Sequence, residues 1–291
     1  MATSRRDFLK LSGHVATGTL LIYTAKGLVT GENETPNAKA EGEEAYADYD
    51  PKAHEWVFVV DTIKCIGCGR CARACKIENN VPWDKNANRT WIERYQFHED
   101  EFITVDSPDG GVNGFRDEIG LPLFSTGRPA TSAKPVSEAE HSQETVVKSF
   151  FVPKLCNQCK KPPCVQVCPV GATYQTVDGV TLVNQKKCIG CRYCIQACPY
   201  GARYLLPAGD RTPTGQAHVV DKCTWCYHRI TRGLKPACVE ACPVDARLFG
   251  DMADLEDPVG LLVKQNRMNV LKPDLGTQPM VKYIALDEAV V

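Results

Sequence analysis

Cysteine is the residue type that offers chemistry in this sequence, through both its number and its spacing. The chain of 291 residues contains sixteen cysteines, and all of them fall into four groups of four. Groups I and III have the spacing C-x2-C-x2-C-x3-C, whereas the middle gap is four residues in group II and eleven in group IV. Group I is Cys65, Cys68, Cys71 and Cys75; group II is Cys156, Cys159, Cys164 and Cys168; group III is Cys188, Cys191, Cys194 and Cys198; group IV is Cys223, Cys226, Cys238 and Cys242.

Three kinds of chemistry use cysteines at such close spacing. Disulfide bonds suit exported proteins, but they require no fourfold repeat, and bridges between C-x2-C neighbours would be strained. A zinc site accepts two C-x2-C pairs, yet it leaves the third cysteine and the cysteine before proline unexplained. In the run C-x2-C-x2-C-x3-C-P, three thiolates bind one iron–sulfur cluster and the fourth binds the other cluster of a pair. Since a proline follows the last cysteine of groups II, III and IV, the pattern predicts iron–sulfur clusters.

The interval between groups II and III predicts how the groups pair. Cys188 follows Cys168 by twenty positions, and the interval contains "TYQTVDGVTLV", two alternating strands around an Asp178-Gly179 turn. A two-cluster ferredoxin fold places a hairpin of this size between its motifs, so group II pairs with group III. Groups I and IV are then left to pair by elimination, the alternative being I with II and III with IV. The predicted ligand sets are Cys156, Cys159, Cys164 and Cys198; Cys188, Cys191, Cys194 and Cys168; Cys65, Cys68, Cys71 and Cys242; and Cys223, Cys226, Cys238 and Cys75.

Small, aromatic and basic residues beside the cysteines are expected to shape these sites. Gly67 and Gly190, in the two "CIGC" stretches, are expected at positive φ, where the backbone can wrap a cluster. Trp225, Tyr193 and Tyr200 are expected to be packed core that shields the clusters from water. Basic residues near every group are expected to balance the negative charge of the clusters collectively, without individual roles. They are Arg70, Arg73, Lys76, Lys160, Lys161, Lys186, Lys187, Arg192, Lys222, Arg229, Arg232 and Lys235.

The N-terminus carries a targeting pattern. Residues 4–10, "SRRDFLK", match the twin-arginine export signal, and residues 15–29 form a weakly apolar stretch behind it. The alternative is an ordinary basic N-terminus. Because the twin-arginine route carries folded proteins, the thiolates could bind iron in the reducing cytoplasm before export. The pattern predicts a location in the periplasm or on the outer face of the cytoplasmic membrane, and it leaves open whether the signal is cleaved.

Composition and missing motifs exclude several classes of protein. The formal net charge of -1 gives no sign of a dominant basic stripe that would bind nucleic acid. No apolar run reaches the length of about 18 residues that predicts a membrane span. No C-x2-C pair is followed by histidine, which argues against covalent c-type haem. The sequence also lacks a dinucleotide fingerprint, a P-loop and a nucleophile elbow. With every thiolate assigned to a cluster, no open catalytic position is predicted.

Five stretches also carry a family resemblance. They are "VVDTIKCIGCGRCARACKIENNVP" (59–82), "LCNQCKKPPCVQVCPVGA" (155–172), "KKCIGCRYCIQACPYGARY" (186–204), "DKCTWCYHRITRGLKPACVEACPVDARLFGD" (221–251) and "LKPDLGTQPMVKYI" (271–284). In these stretches the chain resembles the four-cluster iron–sulfur subunit of the dimethyl-sulfoxide-reductase and polysulfide-reductase class of respiratory complexes. Some members of that family lack one group IV cysteine and carry a three-iron cluster. This sequence keeps all sixteen, so the resemblance implies four 4Fe-4S clusters.

The resemblance implies an α+β fold of two ferredoxin-like modules, each with two 4Fe-4S clusters, inserted loops and an extended C-terminal tail. One module carries groups I and IV and the other carries groups II and III. Between them, "TWIERYQF" and "EFITV" are expected to be strands. The expected divisions are residues 1–40 for the signal or tether, 46–105 and 205–258 for the first module, 106–150 for an inserted excursion, 151–204 for the second module and 259–291 for the tail.

The function implied by the resemblance is that of a non-catalytic subunit that relays single electrons. One expected partner is a membrane quinone-linked subunit of the polysulfide-reductase type. The other is either an exported catalytic subunit that contains molybdopterin or a multihaem cytochrome. Membrane contact would come through the partner. Two alternatives are a free soluble polyferredoxin-type carrier and a self-contained enzyme; stoichiometric partners in the purified protein would distinguish these from the subunit.

Overall fold

The computed structural model of the chain describes residues 49–84, 86–99, 102–115, 146–207 and 218–290. The expected signal lies outside these residues, as does much of the expected excursion. The strands are β1 (Trp56–Asp61), β2 (Thr90–His98), β3 (Ile103–Asp106), β4 (Val146–Leu155), β5 (Thr173–Gln175), β6 (Thr181–Val183), β7 (Arg203–Leu205), β8 (Val220–Lys222), β9 (Arg247–Asp251) and β10 (Val281–Ile284). The helices are α1 (Arg70–Glu78), α2 (Pro163–Gln166), α3 (Tyr193–Gln196), α4 (Tyr227–Ile230), α5 (Ala237–Glu240) and α6 (Pro258–Gln265).

A three-stranded sheet in the order β10-β1-β9 forms the centre of the core. The sequence of β1, "WVFVVD", is a continuous apolar run, which is typical of a strand buried on both faces. Its central residue Phe58 pairs with Val281 of β10 in parallel and with Phe249 of β9 in antiparallel register. Trp225 packs against Phe58 and Phe249 from outside the sheet. Residues more than 200 positions apart in sequence thus share one core.

The C-terminal segment, expected as an extended tail, has more structure than that. It contains α6, a 3-10 turn at Pro273–Leu275 and strand β10 in the central sheet. The helix begins at Asp257, whose carboxylate accepts hydrogen bonds from the backbone N–H groups of Val259 and Gly260. The alternating "MVKYI" pattern then adds a strand beside β1, because its apolar side chains Val281 and Tyr283 are fully buried. The segment is therefore part of the core.

The predicted strands "TWIERYQF" and "EFITV" are confirmed as β2 and β3. They form a second sheet in the order β3-β2-β4. Arg94 of β2 lies opposite Asp106 of β3 and binds its carboxylate through two hydrogen bonds of 2.8 Å. On the other side, Tyr95 stacks on Phe150 of β4 with ring centroids 5.5 Å apart. This sheet lies beside the first cysteine group, since Phe151 contacts the backbone at Gly67.

The predicted hairpin between groups II and III is confirmed as β5 and β6, which pair in antiparallel register. Its turn runs from Thr176 to Val180, with the N–H of Thr176 donating to the carbonyl of Val180 at 2.9 Å. Gly179 has φ of +84° in this turn, as a tight hairpin requires. A second short pair, β7 and β8, follows group III. None of the helices in the described ranges is long and apolar enough to cross a membrane.

Candidate iron–sulfur centres

The fold collects the sixteen cysteines into four sets, each containing three cysteines of one group and the last cysteine of another. Three of the sets each line a pocket of their own, and in the remaining set Cys75 lies among the thiols of Cys223, Cys226 and Cys238. Each set has the membership that the sequence predicts. We name them quartet 1 (Cys65, Cys68, Cys71, Cys242), quartet 2 (Cys75, Cys223, Cys226, Cys238), quartet 3 (Cys156, Cys159, Cys164, Cys198) and quartet 4 (Cys168, Cys188, Cys191, Cys194).

The backbone turns in the same way within every C-x-x-C pair. The residue before the second cysteine has positive φ in all four groups: +65° at Gly67, +43° at Gln158, +69° at Gly190 and +55° at Trp225. The expectation for the two glycines is thus confirmed. At Gly67 a Cβ atom would lie 2.6 Å from the ring of Phe151, and at Gly190 it would lie 2.4 Å from the carbonyl oxygen of His218. Close packing, as well as φ, therefore requires glycine at both positions.

Groups II and IV make this turn without glycine, at a conformational cost of roughly 1–2 kcal/mol per residue. Gln158 is held there by two buried hydrogen bonds, from its Nε2 to the carbonyl of Cys223 and from the N–H of Thr181 to its Oε1. Trp225 is held by its aromatic contacts with Phe58 and Phe249. The surrounding core thus enforces a turn that glycine adopts freely in groups I and III.

Backbone N–H groups point at several of the cysteine sulfurs. The N–H groups of Thr173, Trp225 and Ala246 lie 3.4, 3.4 and 3.3 Å from the sulfurs of Cys168, Cys223 and Cys242. Such hydrogen bonds favour the thiolate and, in iron–sulfur proteins, influence the reduction potential. At Cys168, burial acts to raise the pKa of the thiol, but the N–H groups of Thr173, Val170 and Ala172 together lower it.

At several other cysteines burial dominates and raises the pKa of the free thiol. It raises the pKa of Cys65, Cys159 and Cys223 to about 12, and that of Cys75 well above its usual value. The thiolate form is unfavourable in these places because water is excluded and neighbouring sulfurs repel the charge. Cluster binding, which requires thiolates, must therefore release protons from these sites.

The quartets form a row in the order 1, 2, 3, 4. Burial raises the pKa of Cys238 in quartet 2, and the thiolate of Cys71 in quartet 1 contributes to this rise. Burial, followed by the thiolate of Cys156 in quartet 3, raises the pKa of Cys223 in quartet 2. Quartets 3 and 4 share the guanidinium of Arg203, which favours the thiolates of Cys164 and Cys194 against the effect of burial. Quartets 1 and 2, and quartets 2 and 3, thus interact through their thiols, whereas quartets 3 and 4 are linked through Arg203.

Buried polar atoms around the quartets lack partners within the described part of the chain. They are Nε and Nη1 of Arg247 beside quartet 1, Nδ2 and Oδ1 of Asn157 and Oγ1 of Thr181 beside quartet 3, and Nε1 of Trp225 within group IV. Most of these atoms are hydrogen-bond donors. Burying a donor without an acceptor is unfavourable, and an anionic 4Fe-4S cluster supplies acceptor sulfurs. The quartets therefore fit such clusters in shape, in donor set and in polarity.

Some of the residues expected to tune or shield the clusters lie where the sequence predicts, and others do not. Trp225 is buried as expected, but Tyr193 is 59% exposed, so the prediction that it is packed core is wrong; it begins α3 at the surface. Lys76 is buried, yet its ammonium donates to the carbonyls of Pro82 and Ala87, and burial lowers its pKa to about 8. Arg229 forms ion pairs with Glu78 and Glu240. These two cations have partners other than a cluster.

Two arginines that sequence reasoning missed lie beside the quartets. Arg203 and Arg247 are almost completely buried, and each follows the last cysteine of its group in the pattern Cys-Pro-x-x-Ala-Arg, "CPYGAR" and "CPVDAR". This repeated position was a signal that could have identified them. Lys222, one of the basic residues expected near the clusters, is also fully buried.

Comparison with known protein families identifies the motifs independently. Residues 147–252 match the 4Fe-4S dicluster domain, and residues 58–78 match the 4Fe-4S binding domain. The chain is 34% identical to the B subunit of tetrathionate reductase from Salmonella typhimurium over 299 residues, which covers 100% of this chain and 92% of that protein. It is 40% identical over 231 residues to the B subunit of tetrathionate reductase from Archaeoglobus fulgidus, covering 79% of this chain and 82% of that protein.

A third relative carries the same indication. The putative iron–sulfur B subunit of a dimethyl sulfoxide reductase from Halobacterium salinarum is 36% identical over 237 residues, covering 78% of each chain. These relatives are named as the B subunits of oxidoreductases, and one of them explicitly as the iron–sulfur subunit. The chain belongs to this family: it is a 4Fe-4S iron–sulfur electron-transfer protein, the non-catalytic B subunit of an oxidoreductase complex of the tetrathionate-reductase and dimethyl-sulfoxide-reductase class.

Proposed function

We propose that quartets 1 to 4 each bind one 4Fe-4S cluster through all four thiols, and that single electrons pass along the row between two partner subunits. The observation that carries this proposal is the row itself, in which neighbouring quartets are linked through their thiols or, for quartets 3 and 4, through Arg203. A bound cluster supplies one-electron redox chemistry. The protein holds the clusters in sequence and excludes water from those in the middle.

The two ends of the row differ from quartet 2 in a way that supports entry and exit of electrons. At quartet 4, Cys191 is exposed, and Ile189 beside it is 65% exposed. At quartet 1, Cys65 is partly exposed, and the nearby Ile63 is 78% exposed. All four cysteines of quartet 2 are buried. Exposed apolar side chains next to a redox site are typical of a surface that a partner protein covers.

The partners that we propose are a membrane quinone-linked subunit at one end and a catalytic subunit at the other. The names of the relatives support the catalytic partner, since they are B subunits of tetrathionate and dimethyl sulfoxide reductases. A molybdopterin-type catalytic subunit fits that class, and a multihaem cytochrome is the alternative electron acceptor.

The two ferredoxin-like modules are also part of the proposal. We assign groups I and IV, in 46–105 and 205–258, to one module, and groups II and III, in 151–204, to the other. Tyr49–Val291 forms one compact unit, and the pairing of β7 with β8 crosses the boundary near residue 205. We therefore regard the modules as two halves of one folded body, whose central sheet is completed by β10 (Val281–Ile284).

Export by the twin-arginine route is proposed from the N-terminal sequence, which lies outside the described residues. Replacing Arg5 and Arg6 by lysine should leave a cluster-containing protein in the cytoplasm, measured by cell fractionation and iron analysis. A chain with both arginines unchanged and the exposed Lys52, outside the signal, replaced by glutamine is the control. Unchanged export of the double variant would contradict the proposal.

The ligand sets are tested by a matched series of cysteine variants. Cys156→Ser removes a ligand that belongs to quartet 3 in any pairing, and Cys188→Ser does the same for quartet 4. Cys198→Ser should then alter the same electron paramagnetic resonance signal as Cys156→Ser, because Cys198 lies in the quartet 3 cavity. If it altered the signal that Cys188→Ser alters, the crossed ligation would be wrong.

The complete set of clusters and the partners are tested on the native complex. Anaerobically purified protein should contain about sixteen irons per chain, four in each of four clusters, and should copurify with stoichiometric partner subunits. Quinol should reduce the clusters only when the membrane partner is present. A chain with about two irons would exclude four clusters, and a fully loaded chain that purifies alone and accepts electrons from quinol unaided would favour a free carrier.

A further inference from the structure

Among the described residues, four buried cations have no carboxylate partner. One of them, Lys76, donates instead to the backbone carbonyls of Pro82 and Ala87, and the other three are Arg203, Lys222 and Arg247. The exposed fractions of Arg203, Lys222 and Arg247 are 4%, 0% and 1%. Within the described part of the chain, none of these three forms an ion pair with aspartate or glutamate, whereas the partly buried Arg89 pairs with Asp221. A buried charge without a counter-charge is strongly unfavourable. Their retention in the interior therefore calls for an anionic partner of another kind.

Arg203 lies between quartets 3 and 4. Its Nη2 donates to the sulfur of Cys164 at 3.0 Å, and its Nη1 donates to the hydroxyl of Thr173 at 3.2 Å. The same guanidinium acts on the thiol of Cys194 in quartet 4. One planar group thus faces sulfur ligands of both quartets.

Arg247 has the corresponding position between quartets 1 and 2. Its Nη2 donates to the hydroxyl of Thr90 at 2.9 Å, while Nε and Nη1 have no partner among the described residues. The side chain lines the cavity of quartet 1, and β9, which carries it, packs against α5, the helix that carries Cys238 of quartet 2. Two donors are thus available for an acceptor that occupies these sites.

Lys222 lies in the remaining gap, between quartets 2 and 3. Its ammonium donates to the carbonyl oxygens of Thr181 and Cys223, the latter at 2.7 Å. Its charge acts on Cys164 of quartet 3 and on Cys223 of quartet 2. The row of four quartets has three gaps, and each gap contains one of the three cations.

We propose that Arg203, Lys222 and Arg247 are positioning residues for electron transfer, each raising the reduction potentials of the two clusters that flank it. The inference rests on the proposed ligand sets and on the row. Reduction adds one negative charge to a cluster and breaks no bond, so a nearby buried positive charge stabilises the reduced form. Because water is excluded, this attraction is only weakly screened. Exposed basic residues, although more numerous, have a much smaller effect.

The test is a set of three charge-removing variants of the full chain in its complex: Arg203→Gln, Lys222→Gln and Arg247→Gln. Anaerobic redox titration followed by electron paramagnetic resonance gives the potential of each cluster, assigned with the single-cysteine variants Cys65→Ser, Cys223→Ser, Cys156→Ser and Cys188→Ser. Each variant should make reduction of its two flanking clusters about tenfold less favourable, which is about 59 mV for a one-electron couple. The affected pairs are clusters 3 and 4 for Arg203→Gln, 2 and 3 for Lys222→Gln, and 1 and 2 for Arg247→Gln.

Two kinds of control separate charge from packing. Lys187→Gln removes an exposed positive charge next to Cys188 and should leave all four potentials unchanged. Arg203→Lys, Lys222→Arg and Arg247→Lys keep the charge and should restore potentials close to those of the parent protein. If a glutamine variant loses a cluster, the charge-conserving variant decides: retention of both flanking clusters at near-parental potential supports the proposal.

The possible failures are distinguishable. A parent protein with far fewer than sixteen irons would overturn the proposed ligand sets, whatever the variants do. A fully loaded protein whose flanking potentials stay the same, rise, or shift equally in all four clusters would overturn only the role of the cations. Loss of clusters in the charge-conserving variants as well would show that these side chains serve packing instead.

Discussion

Quartets 2 and 4 have the same donor set and opposite surroundings. In quartet 2, all four cysteines are buried, and Trp225 and Phe249 pack behind them against the central sheet. In quartet 4, Cys191 is exposed and only Cys194 is buried, while the nearest strands are three-residue pairs. The cysteine motif therefore does not determine how a cluster is shielded. Shielding comes from strands that are distant in sequence, above all β1, β9 and β10.

The difference in exposure between the two quartets also implies different roles in electron transfer. A cluster at the surface can exchange electrons with a partner protein, whereas a buried one can exchange them only with its neighbours in the row. Quartet 4 combines exposed thiols with exposed apolar side chains such as Ile189 and Tyr193. Quartet 2 has the aromatic core on one side and quartets 1 and 3 on the others. One repeated motif thus serves two functions according to its packing.

The largest expected contrast comes from removing one ligand in each quartet. Cys238→Ala should remove about four irons and also destabilise the fold, because Cys238 is buried beside the central core. Cys191→Ala should cost about four irons with little loss of fold, since Cys191 lies at the surface. Iron analysis and anaerobic thermal unfolding check both. Equal loss of thermal stability in the two variants would contradict the difference in packing between quartets 2 and 4.

The next effect concerns the aromatic core without touching a ligand. Phe249→Ala should lower the free energy of unfolding by roughly 3–5 kcal/mol, since Phe249 packs against Trp56, Phe58 and Trp225. Tyr193→Ala, beside quartet 4, should change it by less than about 0.5 kcal/mol. Denaturant unfolding of the cluster-loaded proteins measures both. A large loss in the tyrosine variant would show that quartet 4 has a core of its own.

A smaller effect is expected at a link between the two regions. Asp178, in the hairpin between groups II and III, is buried and accepts hydrogen bonds from Tyr49, Trp56 and Tyr227. Asp178→Ala should lower the free energy of unfolding by about 1–3 kcal/mol, because buried donors lose their acceptor. Asp274→Ala, at an exposed position, is the matched control. No difference between the two variants would mean that this network does not contribute to stability.

The smallest expected effect needs no mutation. On exposure to an iron chelator, the cluster of quartet 4 should be lost first and that of quartet 2 last, since reagents reach exposed sulfurs more readily. The time course of electron paramagnetic resonance signals should show a first phase of about four irons assigned to quartet 4. Simultaneous loss of all four clusters would indicate that opening of the whole fold, not local exposure, controls the reaction.

The sequence alone predicted the membership of the four quartets, the hairpin between groups II and III and the positive φ of Gly67 and Gly190. These features depend on short stretches of chain. The C-x2-C spacing brings two sulfurs to one site through a single turn, and the length of a hairpin limits which motif it can return to. The alternation in "TWIERYQF" likewise indicates a strand by itself, and the family resemblance supplied the pairing of groups I and IV that spacing reached only by elimination.

The tertiary structure alone decided the order of the row, the burial of each quartet and the cations between them. Arg203 and Arg247 are ordinary basic residues in the sequence, and Lys222 is one of a dozen near cysteines. Tyr193 was misjudged for the same reason, because proximity to a cysteine in sequence does not decide which side chains face the interior. Burial depends on contacts such as that of β10 with β1, made between residues more than 200 positions apart. A charge acquires a strong effect only where such contacts exclude water around it.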